Sequence, residues 1–176
     1  MKIWVTSDTH FGHNKMVERG YRPPGFEGII ASEWDKHIGR GGDMVIHLGD
    51  YILNPAWNDE ILALNGYPKI LLRGNHDKKS LNWYMNHGFD LALDRMSFQM
   101  FGVLITFSHE PLDPDENDFD LNIHGHLHEG THRGAVPDDG MHYLISLEQT
   151  NFRPLTLAYI VNKWKEGNSS YGWETQ

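Results

Sequence analysis

The sequence reads as an α/β or layered αββα domain on three observations. Short apolar runs alternate with helix-like stretches. No linker, internal repeat or low-complexity segment interrupts them, so residues 1–167 form one domain followed by a polar tail, 168–176, that is expected to fray. Polar clusters begin within a residue or two of the ends of the apolar runs. The runs 2–6 (KIWVT), 44–48 (MVIHL), 70–72 (ILL), 103–107 (VLITF) and 121–123 (LNI) have the length and content of buried strands. Between them, helices are expected over 31–38 and over 57–65, where Gly66 is placed to stop the second. A third follows Ser80 as N-cap and ends near His87, before Gly88. A last one starts near Thr156, after Pro154, and closes at Gly167.

With 176 residues, the chain can bury roughly 70% of the surface its unfolded form exposes. It contains no cysteine, which excludes disulfides and thiolate zinc sites. Any metal must then be held by His, Asp, Glu or Asn, ligands suited to manganese first, and also to iron, zinc, cobalt or nickel. The apolar run after Met1 is too short for a secretory signal, and no run approaches the ~20 residues of a membrane span, so a cytoplasmic protein without membrane partners is expected. The formal charge of −9 argues against a broad basic surface for nucleic-acid backbone. It leaves room for a local positive site built from metal ions.

The polar clusters are Asp8-Thr9-His10, Gly49-Asp50, Gly74-Asn75-His76-Asp77, Ser108-His109-Glu110 and Gly125-His126-Leu127-His128. Ligand sites in α/β sheets gather just beyond the carboxyl ends of strands, so five such endings on one edge make one site. Asp8 and His10 are two residues apart, which in extended backbone points both side chains to one side, and His126 and His128 repeat the spacing. Gly49 lets the chain turn tightly into Asp50. A carboxylate has two oxygens and can bridge two metals, whereas the Asn75 side chain offers a neutral carbonyl oxygen.

Taken in order, DTH, GD, GNHD, SH and GHLH resemble the five-block signature of the calcineurin-like metallophosphoesterase superfamily. The pieces TSDTHFGHN, HLGD, LNG, LLRGNHD, SHEPL and SLEQTNFRPLTL are similar to those of its small bacterial and phage-type members. That resemblance implies an αββα sandwich with a dinuclear centre, in which Asp8, His10 and His128 bind one divalent ion, Asn75, His109 and His126 a second, and Asp50 bridges them. It implies that His76 binds the phosphate or protonates the leaving oxygen, that Asp77 orients the imidazole, and that a hydroxide bridging the metals attacks the ester.

His13 and Arg22 are weaker candidates for substrate contact, as are Arg73, Lys78, Arg133 and Arg153, for which a solvated surface is the plainer reading. His124 suits a position behind the ligands, while His37, His47, His87, His132 and His142 read as structural. The expected substrate is a small phosphate ester, and a diester ahead of a monoester because few cations flank the ligand blocks. The alternatives are a nuclease, with nucleic acid entering only as substrate, and a metal-binding scaffold with little activity.

Overall fold

The computed structural model describes residues 1–39, 41–54, 56, 63–128 and 139–167. Two sheets face each other. The first holds β1 (Ile3–Thr6), β2 (Met44–His47), β3 (Lys69–Leu72), β4 (Leu91–Leu93) and β9 (Leu155–Thr156), in the order β4-β3-β2-β1-β9. Its first four strands are parallel, and β9 runs antiparallel to β1. The second holds β5 (Arg95–Met100), β6 (Val103–Ser108), β7 (Leu121–His124) and β8 (His142–Leu144), in that order, with β6, β7 and β8 parallel.

Alternation along each strand decides which layer a side chain joins. Val5, Ile46, Ile70 and Leu72 of the first sheet meet Val103, Ile105, Phe107, Leu121, Ile123 and Tyr143 of the second in the inter-sheet core. Trp4, Val45, Leu71 and Ala92 point the other way, onto α2 (Phe26–His37) and its surroundings. The outer face of the second sheet is polar but buried: Thr106, Asn122, His124 and His142 lie there. The segment after β6 covers it, with Leu112 N–H donating to Asn122 Oδ1 at 3.0 Å and Leu112 C=O facing His142 Nε2 at 2.8 Å. The helix Phe26–His37 therefore covers one sheet, the helix Leu157–Lys165 packs its buried residues into the inter-sheet core, and among the described residues connecting chain supplies the layer over the other sheet.

All five expected strands are present. The helix expected over 31–38 starts five residues earlier, because Phe26, Ile30 and Trp34, spaced by four, form its buried stripe. The short α1 (Lys15–Glu18) was not anticipated. Ser80 caps α3 (Leu81–Met85) by accepting from Trp83 N–H, and Thr156 caps α4 (Leu157–Lys165) by accepting from Tyr159 N–H. Most of the helix expected over 57–65, and the tail 168–176, lie outside the described residues; positions 63–65 are not helical. The unanticipated strands are the edge strand β5, whose RMSFQM alternates outward Arg, Ser and Gln with inward Met and Phe, and the short β4, β8 and β9. Among the described residues no helix is long and apolar enough to cross a membrane.

Candidate metal centre

Parallel strands from both sheets end at one edge, and each ending delivers side chains to it. Asp8 and His10 follow β1, Asp50 follows β2, Asn75 and His76 follow β3, His109 follows β6, and His126 and His128 follow β7. Asp8, His10, Asp50, His126 and His128 have φ values of 53, 51, 53, 68 and 49°. Their convergence is thus not the alternation of extended chain expected from the two-residue spacing. It comes from left-handed turns, which L-residues adopt at a cost of order 1–3 kcal/mol each and which cluster at functional sites.

The turns fit because glycines leave space for them. A Cβ on Gly49, where φ is 99°, would lie 2.6 Å from the Gly74 amide nitrogen and 2.7 Å from the Leu72 carbonyl oxygen. A Cβ on Gly125 would strike the Ser7 hydroxyl and the Asp8 carboxylate, where the end of β7 crosses the end of β1.

Each carboxylate divides its oxygens. Asp8 Oδ2 accepts from the Ser7 hydroxyl and from His126 N–H (3.0 Å), leaving Oδ1 turned toward His10 Nε2 (3.8 Å) and His128 Nε2 (3.9 Å). Asp50 Oδ1 accepts from His76 N–H (2.7 Å), while Oδ2 faces His10 Nε2 at 3.7 Å and His109 Nε2 at 3.5 Å. Of the two Asp50 oxygens, one is thus taken by a backbone amide and the other faces two histidine nitrogens. Asp8 Oδ1, His10 Nε2 and Asp50 Oδ2 are buried without a hydrogen-bond partner among the described residues. Such atoms cost about 1–3 kcal/mol each unless something meets their lone pairs.

Neighbours fix which nitrogens offer lone pairs. His109 Nδ1 lies 2.8 Å from the Leu48 carbonyl, so it is the donor and Nε2 is the acceptor. That Nε2 and Asn75 Oδ1, two acceptors, are 2.9 Å apart, and His126 Nδ1 lies 3.0 Å from the same oxygen and 3.1 Å from His109 Nε2. Acceptors facing one another at this range suit a shared cation. The ligand atoms of Asp8, His10 and His128 lie within 4.8 Å of one another, as do those of Asp8, Asp50 and His109. These are hard and borderline N and O donors, a chemistry that fits divalent metal ions.

Electrostatics separates the two aspartates. Burial, opposed by His109 and reinforced by Asp8, pushes the Asp50 carboxyl up to about 7. Burial acts on Asp8 too, but His109, His128, the Ser7 hydroxyl and the His126 amide outweigh it and hold that carboxyl below its ordinary value. Burial, with the charges of Arg22 and the neighbouring histidines, keeps His10 neutral to well below its usual range.

His76 stands at the rim, its side chain 29% exposed, with its ring centroid 5.5 Å from that of His10 and 5.7 Å from that of His13. Its Nε2 is 3.9 Å from Asp50 Oδ2. His13 joins the same rim, with Nδ1 3.3 Å from His10 Nδ1, and burial beside His76 and Lys15 pushes it down to about 4. Two expected roles take a different form. Asp77 accepts from the backbone amides of Asp50 (2.8 Å), Gly74 (2.8 Å) and Tyr51 (3.1 Å) and from the Tyr84 hydroxyl (3.4 Å), so its carboxylate ties the β2 and β3 endings together rather than pointing into the site. Arg22 is buried behind the centre, donating to the carbonyls of Asp8 (2.7 Å) and Thr9 (2.9 Å) and to Glu148 Oε1 (2.8 Å), too committed to meet substrate.

Glu148 was not singled out in the sequence. It belongs to a sixth strand ending, after β8, and its Oε1 lies 3.2 Å from His128 Nδ1. The only sign of it in the sequence is its place in the SLEQTNFRPLTL piece. His124 packs on the outer face, Nδ1 3.0 Å from the Gly125 carbonyl and its ring 5.6 Å from that of His142. Arg73 pairs with Asp94 (2.7 Å), Arg153 donates to the Thr150 carbonyl (3.2 Å), and Arg133 and His132 lie outside the described residues.

A family model described as calcineurin-like phosphoesterase matches residues 1–104, more than half of the chain, from Asp8 through the GNHD block. The chain belongs to the calcineurin-like phosphoesterase family. An uncharacterized protein of Methanocaldococcus jannaschii is 28% identical over 183 residues, covering 94% of this chain and 93% of that one. The Gene 66 protein of Mycobacterium phage D29 is 37% identical over 81 residues, 43% of this chain and 40% of its own. The crystal structure of a protein of unknown function from Aquifex aeolicus superposes with a TM-score of 0.76 at 27% identity, covering 92% of this chain and 98% of that one. Membership of the calcineurin-like phosphoesterase family supports metal-dependent hydrolysis of phosphate esters, and the buried lone pairs of Asp8, His10 and Asp50 are compatible with metal binding at this edge.

Proposed function

We propose that this phosphoesterase cleaves small phosphate esters, diesters ahead of monoesters, with two divalent metal ions held by overlapping ligand sets. The observation that carries the reading is Asp50 Oδ2, buried and without a hydrogen-bond partner among the described residues, lying between His10 Nε2 at 3.7 Å and His109 Nε2 at 3.5 Å. Asp8, His10 and His128 would hold one ion, Asn75, His109 and His126 the other, with manganese the first choice for these donors. When bound, such a pair supplies an activated water and neutralises charge developing on the phosphate.

The chain's own residues supply the rest. His76, at the rim and partly exposed, holds a proton within reach of a leaving oxygen in the site, and His13 beside it is placed to meet substrate. Asp77 contributes by fixing the loop that carries His76, through the Gly74 amide.

The diester reading rests on charge and on space. A monoester dianion calls for cations on its third free oxygen, yet Arg22 is buried behind the site and Arg73 is engaged by Asp94. A diester needs room for its second substituent, and a cleft of about 550 Å³ borders Asn75 and His109; Arg73, Lys78 and Arg95 also line it, so this space, more than any lack of cations, carries the diester reading. With metal loading matched, kcat/KM for a bis-aryl phosphate should equal or exceed that for the aryl monophosphate. A tenfold preference for the monoester, ~1.4 kcal/mol, would overturn the diester reading.

A further inference from the structure

The carboxylate behind His128 has partners on three residues, and the proposed chemistry leaves it without a role. Glu148 Oε1 lies 3.2 Å from His128 Nδ1, 2.8 Å from Arg22 Nε and 2.7 Å from Arg22 Nη2, and Oε2 accepts from the Ser146 hydroxyl at 2.7 Å. A carboxylate only accepts, so the His128 nitrogen facing it is the donor and the ring's lone pair is left on Nε2, which faces Asp8 Oδ1 at 3.9 Å. Arg22 also donates to the carbonyls of Asp8 and Thr9, in the turn that presents Asp8 and His10. One buried guanidinium thus joins the backbone of two candidate ligands to the carboxylate behind a third.

We propose that Glu148, held by Arg22, is the positioning residue of the first metal site: it fixes the tautomer and angle of His128 and registers that ring against the Asp8–His10 turn. The proposal rests on the two-metal reading. It goes beyond it by making the two sites separable, because the Asn75, His109 and His126 set has its own support in the Leu48 carbonyl behind His109. Partners behind a metal-binding histidine typically change metal affinity by 10–100-fold.

The test is calorimetric titration of Mn²⁺ into metal-free protein, with His128→Ala and Glu148→Ala as single variants and in combination. Glu148→Ala should weaken one of two binding events by about 10–100-fold and leave the other within about threefold. In the combined variant, Glu148→Ala should add little to His128→Ala, since it acts through that ring. Glu148→Gln keeps an acceptor and the side-chain volume, so it should fold where alanine does not and should recover part of the loss. Equal weakening of both events, full additivity with His128→Ala, or unchanged binding in Glu148→Ala and Glu148→Gln would each overturn the role of Glu148. Two binding events in the unsubstituted protein test the underlying reading separately; finding fewer than two would overturn that reading and the proposal with it.

Discussion

Asp50 and His76 illustrate how neighbouring histidines and carboxylates acquire different tasks. His10 and His109 face Asp50 Oδ2 and His126 faces Asn75 Oδ1, so under the proposed reading His10 would serve one ion and His109 and His126 the other. His76 contributes its backbone amide to Asp50 Oδ1 and keeps its ring at the rim. The two kinds of residue should separate experimentally. His76→Ala should retain near-normal metal content by elemental analysis while turnover falls about 10²–10⁴-fold, the range for a positioned proton donor. His128→Ala should leave one ion fewer per chain. Equal metal loss in both variants would show His76 to be a ligand.

At the scale of elements, the strands that build the site were legible because their apolar runs are nearly uninterrupted and each ends abruptly in Asp, Asn or His. The geometry at those endings was not, since a left-handed φ at Asp8 or His126 leaves no mark in composition. Glu148 was hidden because β8 opens with a histidine turned to the outer face and has only three residues, too few to read as a strand. Arg22 sits beside two prolines in a loop that reads as surface, and its partners are distant in sequence: Glu148 lies 126 residues away, and Asp8 and Thr9 lie 14 and 13 residues before it. The meeting of β1 and β7 is where this geometry is most exposed to damage. Gly125→Ala should force Ser7 or Asp8 aside and cost about 1–3 kcal/mol, as overpacking usually does. Urea unfolding of the metal-free protein measures it, and an unchanged midpoint would mean that the two strand ends are less tightly apposed than the structure shows.

Across the whole molecule, buried neutral histidine links stability to pH, and His47 offers the cleanest measure of it. It is fully buried on the outer side of the first sheet, beneath Trp34, Tyr51 and Phe89. Gly49 N–H donates to its Nδ1 (3.1 Å), so Nε2 carries the proton toward Thr9 Oγ1 (3.0 Å), whose own hydroxyl donates to the Tyr51 carbonyl (2.8 Å). This chain is complete only with a neutral ring. Burial, partly offset by Asp8, accordingly pushes His47 from 6.5 down to about 3. A depressed folded-state value means that the unfolded chain takes up the proton first as pH falls. The contribution of His47 is thus fully present above about 6.5 and declines until about 3. At ~1.4 kcal/mol per pH unit, about 2 kcal/mol is lost between pH 6.5 and 5. Other groups pull in both directions over that range, Asp50 among them, so the comparison must be between variants. His47→Gln should be less stable than the unsubstituted protein at pH 7.5, because it disturbs the hydrogen-bond chain. Its deficit should shrink by about 2 kcal/mol at pH 5, since glutamine has no proton to acquire. Urea denaturation of both metal-free proteins at the two pH values decides the matter, and a deficit that stays constant with pH would show that His47 titrates alike in the folded and unfolded chain.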